Sequence, residues 1–141
     1  KQRIAIAGAI AMDRKCIIFD ESTAMLDPHG RKEVMDTISR LNREEGITVI
    51  HITHYMNEAT IADRVLVMQD GGILMEGTPE KVFSQPEKLW KAGLDVPQTT
   101  ELLWYVQQAG YDVALDIFDP AACACEIAKV LKGTPHGRDN A

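Results

Sequence analysis

The sequence predicts an α/β domain built on a parallel sheet, followed by a smaller and mostly helical region. The apolar run over residues 16–19 ends abruptly in two acidic residues, which predicts a strand buried on both faces. The β-branched run over residues 47–52 is again bounded by polar residues and predicts a second buried strand. Between them, apolar residues recur at helical spacing over 31–45, and Gly46 supplies a stop.

The next elements also follow from local pattern. A short helix is predicted over 55–62 and a strand over 64–69, and Asp70-Gly71-Gly72 predicts a tight turn into a strand over 73–76. Beyond Gly77 the pattern is helical, with predicted segments at 79–83, 86–91, 101–109 and 120–132. We therefore place one domain at residues 1–78 and a helical domain at 79–141.

Two features of the helical domain lead to specific expectations. Thr99 or Thr100 is expected to cap the helix over 101–109. The same helix carries an apolar and aromatic stripe, which is either the core of this small domain or a subunit interface. We favour the interface, because so short a region buries little surface by itself. The stripe consists of Leu102, Leu103, Trp104, Tyr105 and Val106.

The first residues suggest a helix that is already under way. Over residues 1–12, Ile4, Ala7 and Ala11 fall on one face, but no capping residue precedes them. We interpret the chain as truncated. A shortened gene and a partial sequence of a longer gene would both give this pattern. The tail over 134–141 is expected to be frayed.

Composition narrows the class of protein. The chain has 141 residues, of which 45% are hydrophobic, so it is long enough to bury a core. Its net charge of −6 argues against a protein that coats nucleic acid, because neutralising phosphates needs clustered Lys and Arg. Cys16, Cys123 and Cys125 have no framework spacing, which favours a reducing, cytosolic compartment, and the last two are expected to be packing residues.

The strongest chemical signal is the acidic pair Asp20-Glu21 directly after the first strand. The carboxyl end of a strand in an α/β sheet is where ligands bind, and two carboxylates there suit hydrolysis of a Mg²⁺-nucleotide. Asp20 would hold the metal, usually through its waters, and Glu21 would orient and deprotonate the attacking water. The alternative is that the pair merely caps the next turn.

A histidine follows the second strand at the matching place. Because parallel strands have their carboxyl ends at one edge, His54 should come near Glu21 although 33 positions separate them. An imidazole there can hydrogen-bond a terminal phosphate and the water. A lone histidine at a strand end also has a structural interpretation, which we assign to His51, and the two histidines do not make a convincing metal site.

Taken in order, these motifs resemble those of the ATP-binding cassette (ABC) ATPases. Asp20-Glu21 resembles that family's Walker B strand end with its catalytic glutamate, the segment 22–27 its D-loop, and His54 its switch histidine. Residues 1–7 are similar to the helix after the family's signature, and 77–83 to a segment that closes many transporter ATPases. The resemblance covers residues 1 to about 83 and implies a P-loop NTPase-like core without its N-terminal half.

A finer resemblance is to the ATPases of energy-coupling factor (ECF) transporters, which import vitamins, cobalt and nickel. Most ABC ATPases have Pro after the catalytic Glu, whereas this chain has Ser22 followed by Thr23 and then Ala-Met-Leu over 24–26. Residues 92–98 are similar to the C-terminal region of the ECF group, which helps to hold its two ATPases together.

The resemblance implies roles, cofactors and partners. Asp20 would bind Mg²⁺ through water, Glu21 would be the general base, and His54 would contact the γ-phosphate of ATP. Asp27 would reach the partner ATPase, and Ser22 belongs to the same nucleotide-binding set. The phosphate loop, the glutamine loop and the signature are not in these residues, so we expect the chain alone neither to bind nor to hydrolyse ATP appreciably.

The implied assembly is a membrane transporter. Its partners would be a second ABC ATPase, identical or merely similar, a transmembrane coupling protein and a substrate-binding membrane protein, with no nucleic acid. The chain would then sit peripherally on the cytoplasmic face of the cell membrane. Two alternatives remain at this point: a non-transporter ATPase of the same superfamily, or an interaction module without catalysis.

Overall fold

A computed structural model of the chain describes residue 8 and residues 14–133. Gly8 is helical; the rest of the helix predicted over 1–12 and the tail over 134–141 lie outside the described residues. The chain divides into two compact units, Lys1–Tyr55 and Met56–Ala141.

Over residues 14–55, the first unit contains a parallel strand pair and one helix. Strand β1 (Cys16–Asp20) is followed by helix α1 (Pro28–Arg43) and strand β2 (Thr48–Ile52). The register pairs Cys16 with Thr48 and Asp20 with Ile52. This order of elements, and the parallel sheet itself, are as predicted from the sequence.

Helix α1 begins and ends at residues with clear local reasons. Asp27 precedes it in extended conformation, and one of its carboxylate oxygens accepts a hydrogen bond from the Gly30 N–H at 3.2 Å. Pro28 occupies the first turn, where its missing N–H costs nothing. Gly46, with φ 66°, turns the chain back towards β2.

The core of this unit lies between α1 and one face of the sheet. Side chains alternate along β1, so Ile17 and Phe19 point towards the helix and are buried. They pack with residues spaced along α1 and with the residue that leads into β2, namely Val34, Ile38, Leu41 and Ile47.

The prediction that both strands are buried on both faces is wrong for the described part of this unit. Ile18 is 62% exposed, and Ile50 and Ile52 are exposed as well. The reason is that α1 covers one face of a two-stranded sheet. Within residue 8 and residues 14–55, the other face has no such layer.

The second unit opens with the short helix α2 (Met56–Ala59), shorter than the predicted 55–62, and an antiparallel hairpin of β3 (Val65–Gln69) and β4 (Gly72–Gly77). The two turn residues Asp70 and Gly71 both have positive φ, 51° and 77°. That is the type I′ turn, whose twist matches the strands it joins. The predicted hairpin is therefore confirmed.

Four further helices lie between residues 79 and 133, each close to a predicted segment. They are α3 (Pro79–Phe83), α4 (Pro86–Lys91), α5 (Gln98–Gln108) and α6 (Pro120–Gly133). The hairpin contributes Val67 to a hydrophobic core. The other buried residues of this core come from α3, α4 and the loop after α4, namely Val82, Phe83, Leu89 and Val96. No helix in the described part of the chain is both long and apolar enough to cross a bilayer.

The expected threonine cap of α5 is wrong. The helix starts at Gln98, with Pro97 in the capping position and no side-chain cap. The Thr99 hydroxyl donates to the Phe118 carbonyl at 3.4 Å, and the Thr100 hydroxyl to the Leu115 carbonyl at 3.2 Å. Tertiary hydrogen bonds to the segment before α6 thus replace the local cap that the pattern predicted.

The apolar stripe on α5 divides between core and surface. Leu103 is fully buried with Val113 and Cys123, whereas Leu102 and Tyr105 are exposed. The stripe therefore contributes both to the core of this unit and to its surface. The predicted boundary between the two domains, near residue 78, falls between β4 and α3. It stays a prediction.

Candidate functional site

The carboxyl ends of β1 and β2 are tied together beside the acidic pair. The backbone N–H of Glu21 donates to the Ile52 carbonyl at 2.9 Å, which extends the parallel ladder one residue past β1. Two residues after Ile52, the His54 Nδ1 lies 3.3 Å from the Glu21 Oε1. The predicted approach of these residues, 33 positions apart, is confirmed as geometry.

The Glu21–His54 contact is accessible to solvent and to ligands. Their side chains are 57% and 55% exposed. An exposed pair of this kind contributes less than about 1 kcal/mol to stability, because water and salt screen it. A carboxylate only accepts hydrogen bonds, so the contact selects the imidazole form with a proton on Nδ1. The arrangement is better suited to bind and transfer protons than to hold the fold together.

The backbone of Glu21 is strained. Its φ of 44° lies in the left-handed region, which a residue with a β-carbon rarely adopts. Such a conformation costs on the order of 1 kcal/mol and concentrates at functional sites. It turns the chain sharply after β1: the Glu21 carbonyl then accepts from the Ala24 N–H at 3.1 Å.

Asp20 ends β1 with an exposed side chain next to Glu21. In residue 8 and residues 14–133, no group of three or more potential ligands is placed to hold a metal ion. The donors at this edge are carboxylate oxygens, which is the chemistry that Mg²⁺ prefers. Mg²⁺ is commonly held by one or two carboxylates together with substrate phosphates and water, and this donor set fits that mode.

Ser22 and Asp27 lie apart from the Glu21–His54 contact. The Ser22 hydroxyl oxygen is buried and has no hydrogen-bond partner among the described residues. Asp27 is exposed and caps α1. No hydrogen bond or ion pair joins either residue to Glu21 or His54 within the part of the chain that is described, so their predicted roles stay predictions.

The other histidines behave differently. His51 is half-buried in β2, opposite Phe19 in the register, which agrees with a structural position. His29 is exposed, and its Nε2 lies 3.3 Å from the Glu33 Oε1 one helical turn further along α1. His136 lies outside the described residues.

Two residues beside His54 were missed from the sequence. The Tyr55 ring centroid is 4.3 Å from that of His54, and the Arg31 guanidinium carbon is 3.7 Å from the centre of the Tyr55 ring. The available signal was the order of elements: α1 begins at the edge of the sheet where β1 ends, so a basic residue in its first turns comes near the end of β2.

Comparison with known proteins identifies the family. The chain is 57% identical, over 130 residues and 92% of its length, to the energy-coupling factor transporter ATP-binding protein EcfA1 of Clostridioides difficile. This chain belongs to the ABC ATPases, in the ECF group. It spans about half the length of the curated relatives it matches, 47% in this case. No family model matches the chain.

Solved structures agree with an ABC ATPase fold. CbiO1 from Clostridium perfringens, described as part of the ABC transporter complex cbiONQ, has a TM-score of 0.55 and 38% identity over 72% of this chain and 41% of that one. The ATP-binding cassette MJ0796, solved as a dimer bound to ADP and Pi, has a TM-score of 0.53 and 35% identity over 55% of this chain and 34% of that one. The fold is a partial P-loop NTPase domain.

Proposed function

We propose that this chain forms the C-terminal part of a subunit that hydrolyses ATP to drive uptake through an ECF-type membrane transporter. The observation that carries the proposal is the contact between Glu21 and His54 at the carboxyl ends of two parallel strands. Relatives named as transporter ATP-binding proteins support the transport role over a non-transporter ATPase or an interaction module.

Glu21 acts as the general base in this proposal. Its carboxylate is exposed and lies where a water can reach it, and a positioned base of this kind contributes typically about 10²–10⁴-fold to a rate. His54 holds that carboxylate through its Nδ1–H, and its other ring nitrogen serves the water and the terminal phosphate: unprotonated, it accepts from the water, and protonated, it donates to the phosphate. Asp20 would hold Mg²⁺ through water, and the chemistry that the bound ion would supply is neutralisation of charge on the phosphates.

Electrostatics predict that these residues alone are insufficient for catalysis. Two unit charges ~4 Å apart at an effective dielectric of ~20 interact by about 4 kcal/mol. Asp20 and Glu21 therefore repel a triphosphate by several kcal/mol. A phosphate loop with its lysine and backbone N–H groups offsets such repulsion, and these 141 residues contain no such motif. We infer that the chain alone neither binds nor hydrolyses ATP appreciably.

The proposed assembly has two ATPases and two kinds of membrane protein. Asp27 contacts the second ATPase: one carboxylate oxygen caps α1, and the other has no partner among the described residues and is available. A transmembrane coupling protein holds the pair at the cytoplasmic face of the membrane. A substrate-binding membrane protein selects the vitamin or metal ion that is imported.

The test is hydrolysis by the full-length subunit carrying this sequence, measured in the assembled transporter. Glu21→Gln should bind ATP with an unchanged Kd and lower the hydrolysis rate by about 10²–10⁴-fold, because the amide cannot accept the proton. Glu45→Gln is the matched control, since Glu45 is exposed beyond the end of α1. Full activity of Glu21→Gln would overturn the assignment of the base.

A further inference from the structure

We propose that Tyr55, held by Arg31, is a positioning residue that keeps the His54 imidazole turned towards Glu21. The proposal rests on the proposed function and adds two residues to the catalytic edge of the sheet. Its basis is a continuous series of contacts that runs from the first turns of α1 through the Tyr55 ring to His54 and Glu21.

The His54 ring needs support beyond its contact with Glu21. That contact measures 3.3 Å and is exposed, so water competes for it and the imidazole can rotate away. The Tyr55 ring lies 4.3 Å away between centroids, at an interplanar angle of 34°. Aromatic contacts of this kind shift an equilibrium by about 2- to 10-fold. The Tyr55 contact is therefore strong enough to raise the population of the orientation that faces Glu21.

Arg31 limits the movement of Tyr55. Its guanidinium carbon is 3.7 Å from the centre of the Tyr55 ring, well within the range of a cation–π interaction. The backbone of Arg31 is held in the first turn of α1, because its N–H donates to the Asp27 carbonyl at 2.9 Å. Both Arg31 and Tyr55 are half-buried, whereas His54 is exposed. The two supporting side chains are thus less exposed than the His54 imidazole.

The backbone around His54 is fixed separately. The Thr53 hydroxyl accepts a hydrogen bond from the Tyr55 N–H at 3.0 Å, which closes a small turn around His54. Together with the ladder bond from Glu21 to Ile52, this restrains the backbone at the site and leaves the orientation of the His54 imidazole to rotation of its side chain. A change in the Tyr55 ring should therefore affect catalysis through the ring of His54.

The experiment compares ring and charge variants in the full-length subunit by steady-state ATP hydrolysis. Tyr55→Leu should lower kcat by about 10-fold with KM for ATP changed less than about 2-fold. Tyr55→Phe keeps the ring and should stay within about 2-fold of wild type. Arg31→Met should lower kcat by about 3-fold and Arg31→Lys by less, since lysine keeps the charge. Arg40→Met, in an exposed residue of the same helix, is the control and should have no effect.

A double variant separates positioning from simple packing. If Arg31 acts through Tyr55, Arg31→Met adds nothing to Tyr55→Leu, and the two effects on kcat are not additive. Fully additive effects would overturn the part of the proposal that concerns Arg31. A purely structural contact would lower the Tm of the variants and leave kcat at wild-type level, which would overturn the whole of it.

The outcomes also distinguish this inference from the proposed function. Wild-type kcat in folded Tyr55→Leu, with Glu21→Gln inactive, overturns the positioning role alone. Full activity of Glu21→Gln overturns the proposed function. Should Tyr55→Leu fail to fold, Arg31→Met carries the test, because it leaves the ring in place; an unchanged kcat there counts against the proposal.

Discussion

The backbone N–H of Glu21 donates to the carbonyl of Ile52 at 2.9 Å, immediately beyond the last residue of β1. This bond aligns the ends of two strands that a whole helix separates in the chain. It brings the side chain of Glu21 within 3.3 Å of His54. Substitutions at the end of the sheet should therefore affect hydrolysis, whereas substitutions at helix caps and turns should affect stability.

Removing the imidazole should stop hydrolysis and leave nucleotide binding largely intact. In the full-length subunit, we expect His54→Ala to lower kcat by about 10²-fold or more, because Glu21 loses its orienting partner. Stability should change by less than about 1 kcal/mol, since the pair is exposed. His29→Ala removes another exposed histidine and is the control. A wild-type hydrolysis rate in His54→Ala would contradict the assigned role.

Removing the cap of α1 should destabilise the first unit. Asp27→Ala leaves the Gly30 N–H without its side-chain acceptor and should lower the free energy of unfolding by about 1 kcal/mol in denaturant titrations. Asp27→Asn retains the cap without the charge and should cost much less. Asp36→Ala, at an exposed site within α1, should stay within about 0.5 kcal/mol of wild type. Equal losses in all three variants would rule out a capping effect.

The hairpin turn should depend on backbone conformation rather than on space. Gly71 has φ 77°, and a β-carbon added there meets nothing within 4 Å. Gly71→Ala should therefore cost about 1 kcal/mol through backbone strain alone. Gly72→Ala is the matched control, because its added β-carbon would make only an ordinary 3.7 Å contact with the Gln69 carbonyl. Thermal unfolding of the two variants distinguishes them, and equal Tm values would be the contrary result.

The three cysteines should differ in reactivity. Burial raises the pKa of the Cys123 thiol, whereas Cys16 and Cys125 are exposed. At pH 8 we expect iodoacetamide to label Cys16 and Cys125 in the folded chain and to label Cys123 only after addition of denaturant, as counted by mass spectrometry.

The same shift predicts how stability depends on pH. Because the pKa of Cys123 is raised in the folded chain, the unfolded chain loses the thiol proton at lower pH. The protonated thiol therefore contributes to the free energy of unfolding below the unfolded pKa, and this contribution is lost as pH rises through the folded pKa. Cys123→Ala should remove that decline, as measured by denaturant titrations at several pH values.

In the labelling experiment, rapid reaction of Cys123 in the folded chain would show that the thiol is not protected.

Much of the fold was predictable because its signals are local. The turn at Asp70 and Gly71 predicted the hairpin, since few other residues adopt two successive positive φ angles. The parallel pairing followed from two apolar runs with a helix between them. Helix caps were harder to predict, because a hydroxyl or carboxylate near a helix start can bond locally or at a distance. Asp27 bonds the helix that it precedes, whereas the Thr99 and Thr100 hydroxyls bond carbonyls 19 and 15 positions away.

The candidate site was predictable in its central pair and not in its supports. Glu21 and His54 were found because each follows a strand and parallel strands end together. Arg31 and Tyr55 were missed because their contact depends on how the first turns of α1 pack beside the end of β2. The order of elements places the first turns of α1 near the end of β2, but it does not select which side chains meet there.

By itself, the sequence determined the order of strands and helices, the tight turn at residues 70–71 and the two residues that meet at the end of the sheet. These depend on periodicity, on backbone preferences and on the rule that parallel strands share an edge. Tertiary structure alone decided which face of β1 is buried, which hydroxyls bond distant carbonyls and what supports the His54 ring. Those outcomes depend on the packing of segments far apart in the chain, and side-chain direction there follows from contacts rather than from spacing.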